Sequence, residues 1–211
     1  MKTNDFDLVA PYYDRLAQFV FGDTIHKAQI EFLHLLDSAS KILILGGGTG
    51  WILQELIERK KGAEIFYVEK SSKMIELARS QFDSKSRLNI HFIHSPFEDW
   101  KSEMDFDVVI CNFFLDVFTQ EKLNGCILPR LKSLLSPEGR LIVTDFQNKQ
   151  NLFWQRLLLW VMHVFFGKVS RLESSKLTDL STSLNPAGFV LEKEKLFYKQ
   201  MIFSQIYCSR S

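Results

Sequence analysis

Lys41-Ile42-Leu43-Ile44-Leu45 runs directly into Gly46-Gly47-Gly48-Thr49-Gly50, and from Trp51 to Lys60 the apolar residues Ile52, Leu53, Leu56 and Ile57 return at helical spacing. The unbroken apolar run predicts a strand buried on both faces, and the period that follows predicts an amphipathic helix. Between them the glycines permit positive φ and carry no Cβ. The chain can therefore turn sharply and let a ligand approach its N–H groups and the helix N-terminus. This stretch reads as strand, nucleotide-type cradle and helix.

Outward from it the same alternation continues. Glu64–Val68, Leu88–Ile93, Phe106–Cys111 and Arg140–Thr144 are further short apolar runs, and Ser72 to Phe82 carries Met74, Ile75, Ala78 and Phe82 on one helical face. Strand and helix in alternation predict βαβ units with right-handed crossovers and a parallel sheet. After Thr144 come a long apolar segment, Leu152–Phe166, a polar stretch around Ser170–Asp179, and the turn Asn185-Pro186-Ala187-Gly188. Two last strands, Phe189–Phe197 and Met201–Ser209, are separated only by Tyr198-Lys199-Gln200, too few residues for a crossover, so they must form an antiparallel hairpin. Ahead of the sheet, Asp7 to Asp37 reads as helices whose apolar residues could cap the ligand edge. The expected architecture is one α/β domain, a doubly wound, seven-stranded, mainly parallel sheet. It divides into a helical cap (1–38), a cofactor-binding core (39–148), and a helical insertion with the terminal hairpin (149–211).

Composition narrows the function. The 211 residues are 46% hydrophobic and 24% charged, an ordinary globular mix with a core large enough to need no staple. A net charge of +1 offers no field for a phosphate backbone, so nucleic acid is not expected as a partner. Met1 to Asp7 lacks the basic-then-apolar pattern of a signal peptide. Leu152–Phe166 contains Gln155, Arg156 and His163 and is shorter than the ~20 apolar residues of a membrane span. Three cysteines, Cys111, Cys126 and Cys208, form no C-x-x-C pair, which points to a reducing cytoplasm.

Glu69 ends the second strand, 19 positions after Gly50, where a carboxylate can accept ribose hydroxyls. The dinucleotide fingerprint G-x-G-x-x-G would need glycine at position 51, where Trp51 stands, and no Gly-Lys-Ser/Thr closes a phosphate loop. The pattern is G-x-G-x-G, suited to a ligand with a ribose and an amino-acid tail but no phosphate.

Together, Ile42–Gly50, the acid in Tyr67-Val68-Glu69-Lys70-Ser71, and the terminal hairpin resemble the class I S-adenosylmethionine-dependent methyltransferases. The opening Val9-Ala10-Pro11-Tyr12-Tyr13-Asp14 is similar to the start of their ubiquinone/menaquinone methyltransferase-like branch, in which a tyrosine lies over the cofactor. The resemblance implies that Gly46, Gly47, Gly48 and Gly50 wrap the methionine part, that Glu69, with Lys70 beside it, binds the ribose, and that Ser95, Pro96 and Phe97 surround the adenine. Asn112 and Phe113 would lie beneath the sulfonium, and Tyr13 would cover the cofactor. Two positions depart from the family pattern, Ile44 and Ser95, where acids usually stand; both remove hydrogen-bond acceptors, so the expectation is weaker cofactor binding or replacement by Glu98 or Asp99.

Methyl transfer from a sulfonium is an in-line displacement in which alignment and exclusion of water do most of the work. A phenol, enol or ammonium acceptor also needs a base. Asp116 is the first choice, with Tyr13, Tyr12 and Asp145 as further candidates; Asp116 could equally be a first-turn acid favoured by the helix dipole. Asn112-Phe113-Phe114-Leu115 lacks the two prolines with which nucleic-acid amino-methyltransferases hold an extruded base. A metal-assisted catechol mechanism would want an acid at Asn112, and no histidine pair has ligand spacing, so no metal is expected. His94, beside the adenine loop, is the histidine most worth mutating. Nineteen phenylalanines and four tryptophans permit an apolar or aromatic acceptor pocket. The Leu152–Phe166 segment could instead be core, rest on a bilayer, or pack a homodimer. The expected function is methyl transfer to a small apolar or aromatic acceptor; the alternatives are a non-catalytic S-adenosylmethionine-binding module and a nicotinamide-dependent oxidoreductase.

Overall fold

The structure is a computed structural model that describes residues 21–36, 38–59, 62–82, 89–147 and 180–210. Seven strands form one sheet: β1 (Lys41–Leu45), β2 (Glu64–Glu69), β3 (Asn89–His94), β4 (Phe106–Asn112), β5 (Leu135–Phe146), β6 (Phe189–Phe197) and β7 (Ile202–Ser209). Their order is β3-β2-β1-β4-β5-β7-β6, with β1 to β5 parallel and β7 antiparallel to both β5 and β6. This is the expected doubly wound sheet with its terminal hairpin.

Alternation along β1 shows why the run is apolar throughout. Leu43 and Leu45 enter a core on one face with Val109, Cys111, Leu141 and Val143, while Ile42 and Ile44 enter the other with Ile65, Tyr67, Val108 and Ile110. Successive strand residues point to opposite faces, so a sheet covered on both sides demands apolar residues at every position. Helix α1 (Thr24–Ile30) precedes the sheet; α2 (Trp51–Arg59) and α3 (Ser72–Ser80) follow β1 and β2. Ile52, Leu53 and Leu56 of α2 and Ala78 of α3 cover the Ile42 face. Ser71 caps α3, its hydroxyl accepting from the Met74 N–H at 3.1 Å. The Leu43 face is covered by a helical run made of α4 (Gln120–Lys122), a wide turn (Leu123–Ile127) and α5 (Leu128–Ser133), and by α6 (Ser181–Leu184).

Three details depart from the sequence expectation. β5 begins at Leu135, not Arg140, because Phe106 pairs with Leu135 and Val108 with Arg140, so Ser136–Gly139 forms an irregularity inside the strand. The Ser-Pro-Glu-Gly run reads locally as a turn, and only pairing with β4 keeps its flanks in one strand. The connection Tyr198-Lys199-Gln200 has φ of +44°, +52° and +65°, three left-handed residues with no glycine. The Tyr198 ring, 4.9 Å edge-on from Phe21, ties that turn to the core. Of the helices expected over Asp7–Asp37, α1 and a single turn at Leu33–Leu35 fall within the described residues. The remainder of that segment, including Tyr12 and Tyr13, and the Leu152–Phe166 segment lie outside them. No described helix is long and apolar enough to cross a membrane.

Candidate active site

Between β1 and β4 the direction of winding reverses, and such a point opens a crevice beyond the carboxyl ends of the strands. A cavity lies there. Its described lining comes from α1 (Ile25, His26, Gln29), the glycine loop and the start of α2 (Gly46, Gly47, Gly48, Thr49, Trp51, Ile52), and the end of β2 with α3 (Val68, Glu69, Lys70, Met74). The loops after β3 (Ser95, Pro96, Phe97, Glu98) and β4 (Asn112, Phe113, Phe114, Val117, Phe118) complete it.

The cradle is built by close approach. A Cβ at Gly47 would fall 2.2 Å from the ring of buried Tyr67, whose hydroxyl donates to the Gly48 carbonyl at 2.7 Å. Gly48 has φ of +64°, and a Cβ there would meet no atom within 4 Å. One glycine therefore answers to packing and the next to backbone conformation beside open space. Glu69 locks the loop from β2: one carboxylate oxygen accepts from the Gly48 N–H at 3.2 Å and the other from the Ser71 N–H at 2.8 Å. Each carboxylate oxygen can accept more than one hydrogen bond, so the group that shapes the loop can also accept ribose hydroxyls. Gly50 is not part of the lining; it packs against α3, where a Cβ would fall 2.7 Å from the Ala78 Cβ.

Past β3, the Ser95–Glu98 loop is fastened from behind. Ser95 donates its N–H to the Glu69 carbonyl at 3.1 Å and its hydroxyl to the Pro96 carbonyl at 2.9 Å. Arg130 of α5 donates to the Phe97 and Glu98 carbonyls at 2.6 and 2.9 Å, its guanidinium 4.7 Å from the Phe97 ring centre. Glu98 lines the cavity but is paired with Lys122 at 2.6 Å. Burial opposes its ionisation, yet the hydrogen bonds from Lys122 and the backbone and the charges of Lys122 and Lys70 hold it below the ordinary glutamate range. Asp99 does not reach the lining, and its N–H donates to the Pro96 carbonyl at 3.1 Å. His94 lies outside the lining too, one ring nitrogen bonded to the Lys70 carbonyl at 3.0 Å.

The β4 side is different in kind. Both polar atoms of the Asn112 side chain are buried without a hydrogen-bond partner, a cost of about 1–3 kcal/mol per unsatisfied group. Phe113 follows at φ of +52°, costing roughly 1–3 kcal/mol, with its N–H on the Thr144 carbonyl at 2.7 Å and its ring 4.8 Å from Phe146. Asp116, expected at the cofactor edge, is not on the cavity wall. Its N–H donates to fully buried Asp145 at 3.2 Å, and the two side chains are hydrogen-bonded. Burial first, then the Asp116 charge, push the Asp145 carboxyl well above its ordinary range, so this carboxyl gives up its proton less readily than a solvated one. Burial and the charge of Asp145 likewise push the Cys111 thiol up.

The structure thus brings Gly46, Gly47, Gly48, Glu69, Lys70, Ser95, Pro96, Phe97, Asn112 and Phe113 into one cavity, and leaves Gly50 and Asp116 off its wall. Sequence reasoning missed Ile25, His26 and Gln29. Their helix was legible as a cap, but nothing local says which of its faces meets the glycine loop. Among the described residues no group of three His, Cys, Asp or Glu side chains converges on one point.

A family profile described as a methyltransferase domain matches residues 36–188. The chain belongs to that family. Demethylmenaquinone methyltransferase of Thermus thermophilus is 32% identical over 149 residues, covering 67% of this chain and 64% of the relative. The methyltransferase domain here therefore spans somewhat less than two thirds of that relative's length. Among solved structures, the DhpI–SAH complex superimposes with a TM-score of 0.71 at 16% identity, covering 97% of this chain and 93% of the other. A Burkholderia thailandensis 1,6-didemethyltoxoflavin-N1-methyltransferase, solved with 1,6-didemethyltoxoflavin and S-adenosylhomocysteine, superimposes with a TM-score of 0.66 at 17% identity, covering 98% and 87%. These likenesses carry the Rossmann-like methyltransferase fold.

The lining fits S-adenosylmethionine. The flat, apolar Pro96–Phe97 wall suits a base, the Glu69 carboxylate suits ribose hydroxyls, and the open space beside Gly48 leaves room for a ligand against the backbone. The unpartnered amide of Asn112 is a polar group on the cavity wall that a bound molecule would satisfy.

Proposed function

We propose that this protein transfers the methyl group of S-adenosylmethionine to a small, apolar or aromatic acceptor. One observation carries the reading: a glycine cradle at the sheet's switch point is locked by the same carboxylate, Glu69, that stands where a ribose would lie. When bound, S-adenosylmethionine supplies a sulfonium methyl for in-line displacement, the C–S bond breaking as the bond to the acceptor forms. The chain's own residues hold and exclude. Gly46 to Gly48 and Glu69 would fix the ligand, Ser95, Pro96 and Phe97 the base, and Asn112 and Phe113 would flank the transfer point. Ile25, Trp51, Phe113, Phe114 and Phe118 make the nearby lining largely apolar, which supports a ring-bearing acceptor and keeps water from the site. The names of the relatives, with demethylmenaquinone and 1,6-didemethyltoxoflavin as acceptors, point the same way. Asp116, paired to Asp145, stands off the cavity wall, so Tyr13 and Tyr12 are the other candidates to take the proton of a protonated acceptor.

Trp51 begins α2 with its ring against His26, filling the space where a dinucleotide fingerprint keeps a glycine beside pyrophosphate. That disfavours a nicotinamide cofactor. Three free cysteines, one of them exposed, support a cytoplasmic location. Calorimetric titration with S-adenosylmethionine, S-adenosylhomocysteine and NAD tests the reading. Binding of the first two and not NAD is the expected result. Binding of NAD alone would replace it with an oxidoreductase, and sulfur-ligand binding without turnover on any ring acceptor would leave a binding module.

A further inference from the structure

We infer that His26 and Gln29 of the cap helix hold the charged amino-acid end of the cofactor, an assignment that rests on the S-adenosylmethionine reading above. Around the cavity the loops follow β3, β2, β1 and β4 in that spatial order. A ligand with its base on Pro96–Phe97 and its ribose on Glu69 must carry its tail toward the β1 and β4 end. That tail bears an ammonium and a carboxylate, and neither can be buried without polar partners. The charged groups of the described lining, Glu69, Lys70 and Glu98, all follow β2 and β3. On the β1 side Ile44 is buried and offers no polar atom; among the described lining residues at that end the polar side chains are Thr49 in the loop, Asn112 after β4, and His26 and Gln29, the pair that α1 lays over the loop.

Those side chains are placed for the task. Ile25 and Ala28 anchor α1 in the core with Phe21, Phe146 and Ile202. Positions 26 and 29, three apart, therefore share a face, and both line the cavity. The His26 ring lies flat on Trp51, with centroids 3.8 Å apart and planes 6° from parallel, which fixes the imidazole at the first residue of α2. A carboxylate there would meet an imidazole N–H, the Gln29 amide and the positive end of a nine-residue helix together.

The test compares two ligands on purified full-length protein. S-adenosylhomocysteine has the amino-acid end; 5′-deoxy-5′-methylthioadenosine keeps the base, ribose and sulfur but lacks it. His26→Ala and Gln29→Ala should each weaken S-adenosylhomocysteine by about ten- to a hundredfold and leave the shorter ligand within about twofold. His26→Asn, which keeps a donor, should recover part of the loss. Thermal unfolding of each variant checks that it folds. Equal losses on both ligands would mean that His26 and Gln29 only shape the cavity and would overturn the assignment. Unchanged binding of both ligands with slower turnover would move His26 to the acceptor and overturn it too. If the wild-type protein bound neither ligand, the cofactor reading itself would have failed.

Discussion

The two halves of the cavity wall are built on opposite terms. On the β1–β2 half the polar groups are spent on one another: Tyr67 on the Gly48 carbonyl, Glu69 on the Gly48 and Ser71 amides. On the β4–β5 half an amide is buried without a partner, a phenylalanine is held at positive φ, and a buried carboxyl is paired with a half-buried one. The first half is a cradle closed by its own hydrogen bonds. The second carries unfavourable free energy, and strain and unsatisfied groups of this kind persist where a bound molecule or a reaction uses them.

The largest effect should come from breaking the closed half. In Gly47→Ala the new methyl cannot coexist with the Tyr67 ring, so urea unfolding should show a loss of about 3 kcal/mol and calorimetry no S-adenosylhomocysteine binding. An unchanged midpoint with wild-type affinity would refute the close-packed cradle. Next, Glu69→Ala removes the acceptor of two loop amides and, on the proposed reading, of the ribose, and affinity for S-adenosylhomocysteine should fall by about a hundredfold, with Glu69→Gln in between.

The contrasting half should respond with the opposite sign. Asn112→Leu removes two unpartnered polar atoms at similar volume, so the ligand-free protein should gain about 1–2 kcal/mol while turnover drops. Lost stability in that variant would show that Asn112 is satisfied in solution, and the comparison would collapse.

The smallest effect concerns pH. Asp145 is held above the ordinary carboxyl range by burial and by Asp116, so the folded chain keeps a proton that the unfolded chain releases near pH 4. From there up to the native value the folded state binds more protons, so this site's contribution falls as pH rises across that window. Asp116→Asn removes the neighbouring charge, and its urea midpoint should decline less steeply from about pH 4 upward. A steeper decline would contradict the carboxyl pair, and abolished methyl transfer with intact cofactor binding would restore Asp116 as the base.

Much of this was legible in the residues. Apolar runs at positions 42–45 and 108–111 read as strands covered on both faces, and the glycines and Glu69 marked the cradle because their chemistry is local: φ, missing Cβ atoms and a carboxylate at a strand end. The kink at Ser136–Gly139 was not legible, since Ser-Pro-Glu-Gly has the local signature of a turn. Nor was the fate of Asp116. At the end of a strand, an acid aimed into the crevice and an acid turned toward a neighbouring strand have the same sequence signature.

What the sequence alone determined, then, is the order of strand and helix, the doubly wound sheet with its hairpin, and the loop that can cradle a nucleoside. Periodicity and glycine placement are properties of a few consecutive residues, and they survive without knowledge of the rest. Only the tertiary structure decided that α1 lays His26 on Trp51, that Lys122 pairs with Glu98, that Asp145 captures Asp116, and that Asn112 has no partner. Each of these joins residues on separate elements. Whether a polar group is paired or left waiting depends on which elements the packed core brings together.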